Sequence, residues 1–141
     1  MKKAILLLSV IILFTLSKGI AQQHRRPDLI VKSITPTWIS GNLKLKIRIK
    51  NIGNGNAIGQ FENYVELNNV TEPSPNPNRI KTRFITNLNA GQTKTINVSY
   101  SGANVLVGDT KVTVITDSKV STIIESNENN NKRQVEIPPR L

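Results

Sequence analysis

The chain has 141 residues, no cysteine, and 19 lysine or arginine residues against 9 aspartate or glutamate residues, which gives a formal net charge of +10. This length fits a single domain with a core of its own. The missing cysteines exclude disulfide bonds, thiolate metal sites and a lipid-modified cysteine. The basic charge favours anionic partners, and it also keeps a small protein soluble.

The first 21 residues have the pattern of a secretory signal peptide. A basic start at Met1–Lys3 is followed by an apolar run over residues 4–16, and Gly19 and Ala21 supply the small side chains of a cleavage site. We predict cleavage after Ala21 and export to the periplasm or the cell exterior. An uncleaved N-terminal anchor is the alternative, because Lys18 lies close to the cut. The apolar run is shorter than the ~20 residues of a spanning helix, so no stable membrane span is expected after cleavage.

After a short basic linker at residues 22–27, a single domain is predicted over residues 28–138. Its clearest element is residues 43–50, where leucine or isoleucine alternates without error with lysine or arginine. Only an extended strand, with its period of two, places these two kinds of side chain on opposite faces. Six further runs are rich in valine, isoleucine and threonine, which favour strands. The predicted strands are residues 29–35, 43–50, 61–67, 79–86, 93–100, 110–116 and 132–137.

Residues that favour turns separate these strands, as at 40–42, 51–56 and 89–92. Together they indicate an all-β fold, a seven-stranded immunoglobulin-like β-sandwich after an N-terminal signal peptide. The proline-rich segment 71–78 is predicted to be a stiff surface loop between the third and fourth strands. Trp38 is placed in the loop before the second strand.

Residues 125–131, Glu-Ser-Asn-Glu-Asn-Asn-Asn, connect the sixth and seventh predicted strands. Asparagine enters the left-handed region readily and its side chain can mimic a backbone turn, so we interpret the segment as a hydrogen-bonded reversal. A calcium site is the alternative, because calcium takes six to eight oxygen ligands from flexible loops. The EF-hand spacing is absent. The candidate ligands are Asp117, Glu125, Asn127 and Glu128, with Asn129 beside them.

Four motifs resemble one known family. Residues 27–31 are Pro-Asp-Leu-Ile-Val, residues 51–53 are Asn-Ile-Gly, and residues 88–91 are Leu-Asn-Ala-Gly. Residues 117–131 follow the pattern D-S-x-V-x-x-I-x-E-S-N-E-x-N-N, the most specific of the four. In this order and spacing they resemble the CARDB family, the cell-adhesion-related domain found in bacteria, and its relative APHP. The resemblance covers about residues 27–137. It implies an immunoglobulin-like sandwich in an exported bacterial protein that binds or spaces rather than catalyses.

The residues themselves also argue against catalysis. The one histidine, His24, lies outside the predicted domain, and a serine nucleophile needs a positioned base. The nine acids are scattered over turns and strand faces, whereas glycoside hydrolysis needs two facing carboxyl groups. We therefore predict that the protein is not an enzyme and has no cofactor, with calcium as the one candidate ion.

Two features are candidate ligand-binding sites. The predicted residues are Lys44, Lys46, Arg48 and Lys50, which form a cationic ladder on one strand, and Trp38, which could serve as an aromatic platform for carbohydrate. Lys81 and Arg83 would extend the ladder if their strand belonged to the same sheet. The ladder suits an anionic polysaccharide, and the alternative is a solvated face that discourages aggregation. Nucleic acid is not expected, since export removes the usual targets and interleaved aromatic residues are missing.

Three functions stay open from the sequence. The first is an exported binding module for cell adhesion or an accessory subunit of an envelope complex, whose envelope or extracellular protein partner pairs with a sheet edge. The second is a polysaccharide-binding module that uses the ladder or Trp38. The third is a secreted inhibitor or assembly chaperone of the envelope.

Overall fold

The computed structural model describes residues 25–69, 77–106, 108–119 and 123–140. The predicted signal peptide, residues 22–24 of the predicted linker with His24, and residues 71–76 of the proline-rich segment lie outside the described residues. Across the described ranges, no helix has the length and apolar character needed to cross a membrane.

All seven predicted strands are present, and the described part of the chain also contains two single-turn 3-10 helices, at residues 77–79 and 102–104. The strands are β1 (Leu29–Ile39), β2 (Asn42–Asn51), β3 (Ala57–Asn69), β4 (Ile80–Leu88), β5 (Thr93–Tyr100), β6 (Asp109–Thr116) and β7 (Lys132–Glu136).

The prediction that Trp38 lies in a loop is wrong, because β1 continues to Ile39. Ser40 and Gly41, both with positive φ, form a tight turn. The pairing of β1 with β2 therefore continues up to the Ile39–Asn42 pair. Pro36 is tolerated within β1 because this strand lies at the edge of its sheet, where a missing donor leaves no partner unpaired.

The strands pair antiparallel in two sheets, with the order β1-β2-β5 in one and β4-β3-β6-β7 in the other. This is the seven-stranded immunoglobulin-like sandwich that the sequence predicts. The turn between β4 and β5, closed by Gln92 N donating to Asn89 O at 3.0 Å, carries the chain from one sheet to the other. Lys81 and Arg83 of β4 therefore belong to the other sheet from β2. The condition under which they would extend the cationic ladder is not met.

The core lies between the two sheets. The four apolar residues of β2 are at most 1% exposed, as the strict alternation requires. They meet apolar side chains from β3 and β6 and the ring of Tyr100, whose hydroxyl donates to Val65 O or Arg79 O at 3.2 and 3.1 Å. Each fully buried aliphatic side chain stabilises the fold by about 1.5–3 kcal/mol. The inward set from the facing strands is Phe61, Val65, Leu67, Val112 and Val114.

Asn51 joins three chain segments at the end of the sandwich where β1 begins. Its side chain is fully buried and makes four hydrogen bonds, to Asp28 N, Gly53 N, Gly55 O and Leu88 O. A Cβ at Gly53 or Gly55 would lie 2.4 Å from a backbone oxygen of residues 25–26, so the chain can cross here only over glycine. We call this the acidic end, after the carboxylates described below. The end that holds the β1–β2 turn is called the Trp38 end.

Candidate binding face and candidate cation site

The outer face of the β1-β2-β5 sheet is basic. Lys44, Lys46 and Arg48 are exposed and Lys50 is half-buried, and all four point away from the core because the apolar residues between them are buried. The three strands carry six lysine or arginine residues and no acidic residue. We call the outward surface of the four β2 cations and their neighbours the basic face.

Polar uncharged side chains flank these cations on both sides. Each of three successive cations of β2 lies between one residue of β1 and one of β5, and the three rows are Thr37–Lys44–Ser99, Thr35–Lys46–Asn97 and Ser33–Arg48–Thr95. A shallow depression of about 460 Å³ covers the first two rows and reaches Ile39 and Arg83 at its rim. Arg83 thus borders the basic face from the other sheet. The sequence could not show this, because it depends on how the two sheets are stacked.

Trp38 lies on the opposite side of the same sheet. It pairs with Leu43, packs against the core, and donates its indole N–H to Pro138 O at 2.9 Å. The guanidinium carbon of Arg140 lies 5.4 Å from the centroid of a Trp38 ring. The predicted ligand-binding residues therefore form two separate groups, four cations on one face and Trp38 at the end of the other.

Three of the four candidate cation ligands come together at the acidic end. One carboxylate oxygen each from Asp117, Glu125 and Glu128 lie within 4.8 Å of one another, with the first two residues buried and Glu128 exposed. Asp117 follows β6 with φ +48° and accepts a hydrogen bond from Ile123 N at 3.1 Å. Asn127 is exposed, and its side-chain oxygen accepts a hydrogen bond from Asn129 N at 3.1 Å, which closes the predicted turn.

Glu125 is held in the interior by two neighbours. Leu29 N and Asn131 Nδ2 donate to its two carboxylate oxygens, the latter at 2.8 Å. Burial, as the main cause, raises the pKa of the Glu125 carboxyl from its ordinary 4.5 to about 7. The two hydrogen bonds oppose this shift, and the negative charges of Glu128 and Asp117 add to it. A bound cation or a bound proton would each relieve the same repulsion.

Residues outside the predicted set also surround this cluster. Asn130 Nδ2 donates to Asp28 Oδ1 at 2.8 Å, and Thr116 N donates to Asn131 O at 3.0 Å, so the asparagine run connects the loop to the residue before β1 and to the end of β6. The side-chain oxygens of Asn130 and Asn131 are buried without a hydrogen-bond partner. In the sequence, only their position in the Asn-rich run indicated that these two residues could lie near the cation site. The orientation of Asn130 depends on Asp28, which lies 102 positions earlier, so no local pattern reveals it.

The available donor atoms fit a hard divalent cation. The cluster contributes only oxygen atoms, which calcium prefers, and it lacks the histidine and cysteine ligands of structural zinc sites. The partnerless oxygen of Asn131, a residue only 6% exposed, belongs to the side chain that contacts Glu125. If the side-chain amide of Asn131 were rotated by 180°, this oxygen would point toward Glu125 and the candidate cation site.

Comparison with known proteins agrees with this fold. The CARDB family model matches residues 26–135. The crystal structure of a CARDB domain from Pyrococcus furiosus, in complex with di-metal ions, aligns with 18% identity and a TM-score of 0.57 over 79% of this chain and 87% of that one. The solution structure of a CARDB domain from the same organism aligns with 18% identity and a TM-score of 0.56, over 80% and 94% of the two chains. A comparison with curated protein sequences gives no match.

Proposed function

Because the chain belongs to the CARDB family, a family of non-catalytic modules, we propose that it is an exported, non-enzymatic binding module of the adhesion type. Its proposed ligand is an anionic polysaccharide of the cell envelope, and its proposed binding surface is the basic face. The observation that best supports this is the row of four outward cations on β2, in a three-stranded sheet that carries no acidic residue. Such a surface attracts a polyanion and repels a cationic partner.

The spacing of the cations suits a polymer with regularly repeated charges. Alternate residues of a strand lie about 7 Å apart, so Lys44 to Lys50 span roughly 20 Å along β2. The flanking threonine, serine and asparagine side chains supply hydrogen-bond donors and acceptors for sugar hydroxyl groups. Protection against edge pairing does not explain this arrangement, because β2 is the central strand of its sheet.

We expect the double substitution Lys46→Glu plus Arg48→Glu to weaken binding of a polyuronate by about 100-fold, because two attractive contacts in the middle of the ladder become repulsive. Calorimetric titration with polygalacturonate measures the affinity. Binding by the unaltered chain is also expected to weaken as salt is added, since exposed charges are screened.

The matched control is Lys111→Glu plus Lys132→Glu. These two exposed lysines belong to the other sheet, and their reversal changes the net charge by the same amount. This control is expected to retain affinity within about threefold. Equal losses in the two double variants would mean that overall charge rather than the basic face attracts the polymer. Unaltered binding after reversal of Lys46 and Arg48 would refute the proposed face, and retention of an envelope protein instead would favour an accessory subunit.

As a second function we propose that Asp117, Glu125 and Glu128 bind calcium and that the ion stabilises the folded state. The three carboxylate oxygens within 4.8 Å of one another support this. The Pyrococcus CARDB domain, whose crystal structure is a complex with di-metal ions, is an independent reason to test it. With calcium bound, the ion would supply the positive charge that three close carboxylates lack.

Calcium is expected to raise the melting temperature at pH about 8 and to have little effect at pH about 5.5, because metal ligands must be deprotonated and the pKa of Glu125 is raised to about 7. In a chelator, the folded state keeps a proton that the unfolded state loses between pH 4.5 and about 7. The free energy of unfolding should therefore fall by on the order of 2 kcal/mol as pH rises through this window. Thermal unfolding with calcium or chelator at several pH values measures both effects.

Glu125→Gln is the control variant for the calcium site. The neutral amide can donate to Asn131 once the Asn131 amide turns its partnerless oxygen toward it, so the variant is expected to fold. It should show neither the calcium effect nor the pH slope. A calcium-dependent rise in melting temperature that survives this substitution would place the ion elsewhere, and no rise in the unaltered chain would refute the site.

A further inference from the structure

We propose that the groove at the Trp38 end is a docking site for an extended peptide that carries two prolines followed by arginine, and that residues 138–140 of this chain occupy it in cis. The three residues are Pro138, Pro139 and Arg140. The proposed partner is a segment of the same chemistry in a neighbouring protein, which binds when it displaces the chain's own segment.

The contact between Trp38 and Pro138 is the first argument. The indole N–H donates to Pro138 O at 2.9 Å. An aromatic side chain that donates to a carbonyl of a proline-rich segment is a general way to bind extended peptides, because proline pre-orders the backbone and leaves its carbonyl oxygens free. The last ladder hydrogen bond, from Ile137 N to Thr110 O, precedes the two prolines. The segment therefore leaves the sheet and lies against Trp38.

The fit of the arginine is the second argument. The guanidinium of Arg140 stacks over Trp38, with its carbon 5.4 Å from the ring centroid. Two glycines also lie close to this guanidinium, since a Cβ at Gly41 or at Gly102 would lie 3.0 Å from an Arg140 Nη atom. Gly102 also allows its helix to approach the β1–β2 turn, because a Cβ there would lie 2.1 Å from Gly41 O. The guanidinium therefore has an aromatic ring and side-chain-free backbone as near neighbours, which suits a planar group.

The space around the segment is the third argument. Cavities of about 520 and 370 Å³ lie on the two sides of Trp38, and both are lined by Pro138, Pro139 and Arg140. Without the segment the two cavities would join into one groove. Leu106 and Ile137 would supply apolar surface there, and Glu136 would supply a negative charge for an incoming arginine.

A free peptide must compete with the chain's own residues 138–140, because these are covalently joined to β7 next to the groove. A segment joined directly to β7 has an effective concentration of about 1 mM or more at its own groove. A free peptide must outcompete it, so removal of the segment is expected to increase the apparent affinity for the peptide at least about tenfold.

The test uses a chain that lacks residues 138–141 and a synthetic peptide of residues 136–141. Trp38 is the only tryptophan of the protein, so its fluorescence reports this groove alone. We expect a saturable change in emission with the shortened chain, and the same change with the full chain only at about tenfold higher peptide concentration. A peptide with glutamine in place of its arginine should bind the shortened chain about fivefold more weakly, since the stacked cation is lost.

The full-chain variant Arg140→Gln supplies a second measurement that does not require truncation. It weakens the chain's own segment, and the unaltered peptide should then bind about fivefold more tightly than to the unaltered chain. The proposal is overturned if the shortened chain keeps its β circular dichroism and binds no peptide, or if both peptides bind equally. It is also overturned if Arg140→Gln leaves peptide affinity unchanged, or if the groove of the shortened chain takes an oligosaccharide and not the peptide.

Discussion

Replacement of Asn51 by alanine is expected to lower the free energy of unfolding by about 4 kcal/mol, because four buried hydrogen bonds are lost together. The amide donates to Gly55 O and Leu88 O, and it accepts from Asp28 N and Gly53 N. Each buried backbone group left without a partner costs about 1–3 kcal/mol, with some recovery through entering water. Urea unfolding followed by circular dichroism measures the loss.

Asn56→Ala is the matched control in the same loop. Asn56 is exposed and its side-chain oxygen accepts one hydrogen bond, from Ala90 N at 3.0 Å, so its replacement is expected to cost about 1 kcal/mol or less. Asn51→Asp distinguishes the two hydrogen bonds that the side chain accepts from the two that it donates. It keeps both acceptor contacts but points a carboxylate oxygen at two carbonyl oxygens, and should be at least as destabilising as alanine. Similar stabilities for Asn51→Ala and Asn56→Ala would show that the network does not hold the loops together.

Replacement of Asp109 by alanine is expected to cost about 3–5 kcal/mol, because it removes the buried carboxylate that pairs with the buried guanidinium of Arg79. The two side chains form an ion pair at the Trp38 end, with exposures of 5% for Arg79 and 0% for Asp109. Asp109 also accepts hydrogen bonds from Asn69 Nδ2 at 3.0 Å and from Leu106 N at 2.7 Å. Chemical denaturation again measures the change.

A double-mutant cycle tests whether this cost comes from the charge pair. Arg79→Met plus Asp109→Asn removes both charges and keeps an oxygen acceptor for Leu106 N, so the double variant should be more stable than the sum of the two single losses implies. Lys119, whose exposed side chain pairs with Glu62 at 2.8 Å, provides the comparison. Although Glu62 is buried, Lys119→Met is expected to cost less than Asp109→Ala, because Lys119 is exposed and Ser118 Oγ still donates to Glu62 Oε1 at 3.0 Å. Simple additivity of the Arg79 and Asp109 substitutions would contradict the expected coupling.

The strands could be predicted where the signal is local. The alternation at residues 43–50 predicts a strand with its leucine and isoleucine side chains facing the core. The four apolar residues of β2 are indeed buried. The segment after β6 shows the limit of such reasoning. Ile123 and Ile124 are adjacent and chemically identical, yet Ile123 is 5% exposed and Ile124 is 70% exposed. Their difference depends on which of them faces the sandwich, and that follows from the path of the whole loop.

The candidate sites could be predicted only in part, for the same reason. The sequence placed Asp117, Glu125 and Glu128 in one connection, but the distance between their carboxylates depends on hydrogen bonds to Leu29 and Asn131. The importance of Asn51 was visible only as a motif residue before Gly53. Two of its four contacts, with Asp28 and Leu88, bridge 23 and 37 positions, and these are the ones that no local pattern reveals.

The sequence by itself determined the all-β class, the seven strands and the basic outer surface of β2, because the two-residue period of a strand orients neighbouring side chains without help from the rest of the chain. The tertiary structure alone decided that β4 joins β3, that three carboxylates meet around Glu125, and that Arg140 covers Trp38. These outcomes require contacts between residues far apart in the chain. Such contacts depend on the stacking of two sheets and the paths of their loops, which local periodicity does not encode.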